Sequence, residues 1–202
     1  MAITIDGSSG IASVDGSAGS PSVRGTDANS GILYTSDAIK FSTGGTQRAV
    51  IDNNGLSSAG HILQVVSTTK SDTGSTSSTS FVDTGISAAI TPISSSNKIL
   101  ISYDVYLSHT QSEVSFVNLL RGSTNIAQPS GSANYPATTL QYIGALVMGR
   151  HNMTYLDSPS TTSETTYKLQ YRTDANTAYL NRYSGNDNYH GISHLTLMEV
   201  AA

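Results

Sequence analysis

The chain contains no cysteine. That absence removes disulfides and thiolate metal ligands, so stabilisation beyond packing has to come from assembly, with contacts between subunits as the obvious source. Charge is scarce too: Asp, Glu, Lys and Arg make up 12% of the 202 residues, about half the usual ~25%. Ser, Thr, Asn and Gly must therefore supply much of the surface polarity, a composition that fits strands and loops better than Lys- and Glu-rich helices. The ten basic residues stand singly in a chain of net charge −4, and no run of them could neutralise a row of phosphates, which argues against a nucleic-acid partner. Nowhere do ~18 apolar residues follow one another, and the leading MAITIDGSSG lacks a basic segment followed by an apolar one. The expectation is a protein without membrane insertion or signal-peptide export. Hydrophobic residues reach only 37%, below the usual ~45–50%, so the core should be thin.

What is present falls into two parts. Residues 1–60 hold ten of the 18 glycines but one of the 11 tyrosines, and the remainder carries the other ten. We expect an N-terminal module over 1–60 and a second domain over 61–202, with the boundary in 56–60. The first part offers short β-like pieces at 3–5, 32–34, 39–41 and 49–51, separated by Asp-Gly, Gly-Ser, Gly-Gly and Asn-Asn-Gly turns. Pieces of this length build no private core. About 60 polar residues bury too little apolar area to offset their conformational entropy, so the module should be disordered or folded against copies of itself. The regular alternation of apolar pieces and turns favours self-association.

From His61 onward the segments lengthen. In 99–107, Ile99, Ile101, Tyr103, Val105 and Leu107 share one face, while Ser102 and Asp104 take the other. In 165–172, Tyr167, Leu169 and Tyr171 point one way, and Thr166, Lys168, Gln170 and Arg172 point to water. This period of two is that of half-buried antiparallel strands. Further strands are expected at 62–66, 86–91, 114–120, 140–148, 153–156, 178–182 and 192–200. The last of these is apolar on both faces and should lie centrally or at a subunit contact. Eight or nine strands without a convincing amphipathic helix suit an antiparallel β-sandwich of jelly-roll type. Between Ser67 and Ser80, eleven of 14 residues are Ser or Thr, which reads as an exposed loop or a polar edge strand.

Catalytic and metal-binding patterns are weak in this sequence. His190 and His194 would share a face on a helix, but in a strand they are parted by ~13 Å. His61, at the junction of the two parts, is a candidate axial contact between copies, with a junction spacer as the plainer role. A glycan-cleaving enzyme needs two carboxylates ~5–10 Å apart in a groove. Asp83, Asp104, Glu113, Asp157, Glu164, Asp174 and Asp187 are available, yet no local spacing selects a pair. No G-x-S-x-G elbow occurs, and the GGT at Gly44 is a turn rather than a phosphate loop. No cofactor is expected. The stretch 178–190 differs, because Tyr179, Arg182, Tyr183, Asn186, Asp187 and Tyr189 combine aromatic faces with fork-like hydrogen bonders, a mixture that suits sugars and equally suits packing or a subunit contact.

Two stretches resemble known sequences. IKFSTGGTQRAVIDNNG at 39–55, preceded by GTDANSGILY at 25–34, resembles a short module of tail-fibre and virion-appendage proteins of tailed phages. In that module an apolar β piece, a Gly-Gly-Thr turn, an Arg and an Ile-Asp-x-x-Gly turn follow one another. More diffusely, STSFVDTGISAAITP, SSNKILISYDV, LLRGST, YLDSPSTTSETTYKLQYR, YLNR and SHLTLMEVA are similar to a C-terminal β-domain of fibre-like proteins from marine and cyanobacterial phages. The resemblance implies a non-enzymatic structural and attachment role on the particle surface, made in the host cytoplasm, and it implies a homotrimer. Room for a single N-terminal module favours a short knob over a long fibre.

The expected architecture is all-β: a short intertwined N-terminal module, particle-proximal, followed by a jelly-roll-like sandwich. Expected partners are the chain itself, other virion proteins of the tail or capsid shell, and a host-surface glycan. The alternatives are a decoration or cement protein that stiffens a capsid, and a receptor-binding lectin-like or glycan-depolymerising tailspike.

Overall fold

Alternation of apolar and polar side chains at a period of two, broken by Gly, Asn, Asp and Ser, sets the strands of this protein. The structure is a computed structural model and describes residues 16–131 and 136–202. The strand expected at 3–5 lies outside the described residues. No helix occurs among those described, and the chain divides into two compact units, one ending at His61 and taking in Ala201–Ala202, the other Ile62–Val200.

The first unit is an antiparallel meander of five strands in chain order: β1 (Val23–Arg24), β2 (Gly31–Thr35), β3 (Ala38–Thr43), β4 (Thr46–Asp52) and β5 (Gly55–Ser57). The β3–β4 turn is made by Gly44 and Gly45, both at positive φ, where residues with a Cβ are strained. The β4–β5 turn is an Asx turn in which Asn54 N–H donates to Asp52 Oδ1 at 2.8 Å, closed by Gly55 at positive φ. Among the described residues of this unit, Leu33 is the one large hydrophobic side chain that is buried.

The second unit contains β6 (Ile62–Lys70), β7 (Gly74–Thr76), β8 (Val82–Ile90), β9 (Lys98–His109), β10 (Glu113–Arg121), β11 (Thr124–Asn125), β12 (Thr139–Ile143), β13 (Met148–Asp157), β14 (Thr165–Thr173), β15 (Ala178–Leu180) and β16 (Ser193–Val200). Eight long strands form two antiparallel sheets, β6-β16-β9-β13 and β8-β14-β10-β12. Counted along the chain, those orders are one-eight-three-six and two-seven-four-five, the wiring of a jelly roll. Strands β7 and β15 extend the first sheet beside β9, and β11 lies beside β10.

The core lies between the sheets. Ile99, Ile101, Tyr103, Val105 and Leu107 of β9, with Leu195 and Leu197 of β16 beside them, face Ile86 and Ile90 of β8, Val117 and Leu119 of β10, and Tyr167 and Leu169 of β14. Strand β8 carries a bulge opposite Lys168 and Gln170, with Gly85 at positive φ and Thr84 Oγ1 donating to the Leu169 carbonyl at 2.8 Å. Strand β16 sits centrally, between β6 and β9.

Three expectations need correction. The strand expected at 140–148 is two strands: the chain turns at 144–147, with Leu146 at positive φ, and Met148 opens β13. The strand expected at 178–182 ends at Leu180. Arg172 does not point to water. It is buried on the outer face of the second sheet, its guanidinium carbon 3.6 Å from the Phe116 ring centroid and 5.5 Å from that of Phe81. A delocalised, weakly hydrated cation stacks on aromatic faces at little cost.

A buried carboxylate ties the first sheet to its neighbours. Glu199 has no exposed surface, yet accepts hydrogen bonds from Asn97 Nδ2, Gln64 Nε2 and Ile93 N–H. Truncation would remove the acceptor that these three donors share. We expect Glu199→Ala to lower the stability of this unit by ~2–4 kcal/mol in urea unfolding, well beyond Met198→Ala on the partly exposed face of the same strand. Equal effects of the two substitutions would contradict this account.

Candidate functional site

The six residues proposed from the sequence as a glycan or subunit contact do come together, in the loop between β15 and β16 and at its entry. Arg182 stacks on Tyr179, its guanidinium carbon 4.5 Å from the ring centroid, and its Nη2 pairs with Asp187 Oδ1 at 2.8 Å. Tyr183 and Tyr189 meet edge to face with centroids 6.0 Å apart, and Tyr183 N–H donates to the Tyr189 carbonyl at 2.9 Å. Asn186 Oδ1 accepts from Asn188 N–H. Their polar and aromatic groups are thus largely directed at one another, giving a braced loop from which Tyr189 projects with 62% of its surface exposed.

The other singled-out residues are dispersed. His61 is exposed in the first unit, its Nδ1 2.9 Å from the Leu56 carbonyl, and its backbone carbonyl accepts from Ala201 N–H. His190 bridges to Arg182, whereas His194 lies on β16 with Nε2 3.7 Å from Asp104. The carboxylates sit on separate partners: Asp83 on Gln170 and Lys168, Asp104 on Arg150, Glu113 on Asn176, and Asp157 on Arg121 and Tyr167. Hydrogen bonds from Gln170 and Lys168 hold the Asp83 carboxyl below its usual range. Burial, reinforced by Asp157, holds the Tyr167 phenol well above its own. Among the described residues no group of three or more His, Asp or Glu could hold a metal ion.

Sequence reasoning missed a cleft of about 620 Å³ in the second unit, lined among others by Phe81, Asn118, Asn125, Gln128, Arg172 and Asp174. Asn118 is buried on β10, and its Oδ1 accepts from Gln128 Nε2 at 2.9 Å and from Thr138 N–H at 3.2 Å. Arg172 Nη1 reaches the Thr79 carbonyl at 3.4 Å and Asp174 at 3.8 Å. The cation is offset by that carboxylate, and the wall combines amides, a guanidinium and a ring. Such a wall can donate to and accept from a neutral, hydroxyl-rich ligand. The residues come from four separate segments, so no local spacing announces them.

Two histidines are buried, His109 at the end of β9 and His151 on β13. His151 bonds Ser115 Oγ through Nε2 at 2.9 Å and Thr139 Oγ1 through Nδ1 at 3.1 Å. Burial, with His109 nearby, pushes its pKa down to about 4. Burial also lowers His109, while the Glu113 carboxylate and the Thr177 backbone pull the other way without either reaching hydrogen-bond geometry.

No protein-family model matches the chain, and no curated protein matches its sequence. Solved structures similar to it include infectious bursal disease virus of the Gx strain, at 15% identity and a TM-score of 0.40, covering 75% of this chain and 41% of that one. T=1 particles derived from the same virus match at 9% identity and a TM-score of 0.41, over 84% of this chain and 47% of that one. The Gt strain matches at 12% and 0.39, over 82% and 48%. The chain spans less than half the length of each.

The buried imidazoles carry a prediction about acid. Burial disfavours the charged form of both in the fold, whereas an unfolded chain protonates them near the ordinary pKa of 6.5, so the unfolded state binds more protons below that pH. Stability is therefore fully present above about pH 6.5 and is lost as pH falls toward 4, by about 3 kcal/mol for His151. Urea midpoints between pH 7 and 4.5 should fall more steeply for the wild type than for His151→Gln. Parallel pH profiles would contradict the assignment.

Proposed function

We propose that this chain is a non-enzymatic structural protein of a tailed-phage particle, a homotrimeric short fibre or knob with residues 1–60 toward the particle and 61–202 outward. One observation carries the reading. Residues 39–55, whose sequence resembles the appendage module, fold as successive antiparallel strands joined by the Gly-Gly and Asn-Asn-Gly turns, in a sheet with an exposed apolar face. Pairing such sheets among chains removes both their open faces and their edges. The threefold number comes from the resemblance, and His61, exposed at the end of the module, is the residue proposed to meet its copies near the axis.

The jelly roll supports a structural role in its own way. Its buried polar groups link strands: Asp157 joins Arg121 to Tyr167, Glu199 joins β6 to the β8–β9 loop, and His151 joins β10 to β12. A second reading, favoured by the cleft around Asn118 and Arg172, is binding of a neutral host-surface saccharide by this unit. A cement protein on the capsid shell is the alternative within the structural class.

Purified particles provide the test. Immunogold labelling should place the protein on the tail or at another appendage, and particles lacking it should adsorb poorly while keeping their heat resistance. Labelling spread over the shell with loss of heat resistance would replace the fibre by cement, and a protein absent from particles would end both. The isolated protein should show three times the 21.1 kDa mass of one chain. On a glycan array, Asn118→Ala should abolish any signal that the cleft produces.

A further inference from the structure

Cross-strand register in the meander sorts its side chains into two faces. Val23 lies opposite Ile32, Ile32 opposite Phe41, and Phe41 opposite Ala49. In the second row Tyr34 lies opposite Ile39, Ile39 opposite Ile51, and Ile51 opposite Leu56. Directly opposed residues project to the same side of a sheet, so these eight side chains form two parallel rows on one face, and none of them is charged. The reverse face carries Leu33 opposite Lys40 and Lys40 opposite Val50, and there Leu33 is buried.

Among the described residues the double row is exposed. Val23, Tyr34, Ile39, Phe41, Ile51 and Leu56 keep between 37% and 53% of their surface exposed. Together they leave on the order of 500 Å² of surface on about 35 residues of sheet, at the upper end for an apolar patch on a monomer and more than half of one partner's share of a standard interface, ~800 Å². Strands of two to seven residues with one buried large hydrophobic do not hold together alone. The cover must therefore be present wherever the chain folds.

We propose that this face, rows Val23–Ile32–Phe41–Ala49 and Tyr34–Ile39–Ile51–Leu56, is the surface by which copies of this chain associate, the double rows of all copies turned toward a common axis. A second copy meets the requirement because it is made together with the first and presents the same uncharged rows. The proposal deepens the assembly reading above and rests on it only for the number three: a dimer built on these rows would uphold the face and remove the trimer, and a protein absent from particles would leave the face untouched.

The full chain is tested in solution. At ten micromolar the wild type should run as an oligomer by light scattering, and Phe41→Lys with Ile51→Lys should reduce the mass to that of one chain, a threefold fall for a trimer. Lys40→Glu, on the reverse face, should leave the mass unchanged, and the jelly roll should keep its unfolding midpoint in all variants. Because the chain has no cysteine, Ile39→Cys introduces a single thiol in the row. Oxidation should link two chains through it in most of the protein, while Lys40→Cys should link few. A wild type of single-chain mass, a double-lysine variant that keeps the wild-type mass, or equal cross-linking from positions 39 and 40 would each overturn the proposal. A thiol at position 39 that is shielded in a single chain would assign the cover to a segment of the same chain instead, and would overturn it as well.

Discussion

A β-sheet has two faces, and an apolar one is kept from water only when another layer is packed against it. The two units of this protein meet that constraint differently. Residues 62–200 supply their own second layer, and the inward-facing side chains of β8, β9, β10, β14 and β16 close on one another in a shared core. In the meander of β1 to β5 no described strand packs on the face that carries the apolar rows, and Val23, Tyr34, Ile39, Phe41, Ile51 and Leu56 are exposed there. The proposed association face follows from this difference, because the hydrophobic term that stabilises folding is the same one that drives association.

Polar groups inside the jelly roll serve this architecture. A thin core in a chain poor in charge cannot rely on surface ion pairs, which contribute little. It uses buried hydrogen bonds at strand ends instead: Glu199 with Gln64, Ile93 and Asn97, and Asp157 with Arg121 and Tyr167. Each group left without its partner inside the protein would cost more than the bond itself contributes, so these contacts specify register more than they add stability. Arg172 fits the same pattern on the outer face, where stacking on Phe116 replaces hydration.

How much of this was legible in the sequence depends on whether the signal was local. The inward faces of β9 and β14 follow from alternation alone, since Ile99 to Leu107 and Tyr167 to Tyr171 repeat every second residue. The all-β class and jelly-roll architecture followed from the count of such segments. The turn that separates β12 from β13 was hidden because Gly144, Ala145, Leu146 and Val147 read as apolar continuation, and Leu146 adopts a positive φ that its side chain does not advertise. Arg172 was placed in water because alternation says which face a residue takes and nothing of what lies above that face. The cleft was invisible for a related reason: Phe81, Asn118, Gln128 and Arg172 become neighbours only after four segments have paired. The six residues at 179–189 were found because they are close in sequence, and the structure shows them engaged mainly with each other.

The position of β16 has a consequence for how the protein is made. It is the last strand in sequence, yet it lies inside the first sheet, hydrogen-bonded to β6 on one side and β9 on the other. While a ribosome is still extending the chain, β6 and β9 face a slot that nothing fills, and the apolar side of each stays wet. The sandwich can therefore close only after Val200 has emerged, in a step that joins residues more than a hundred positions apart and is slow for that reason. During that interval the nascent chain exposes sticky strand edges beside its siblings on the same message.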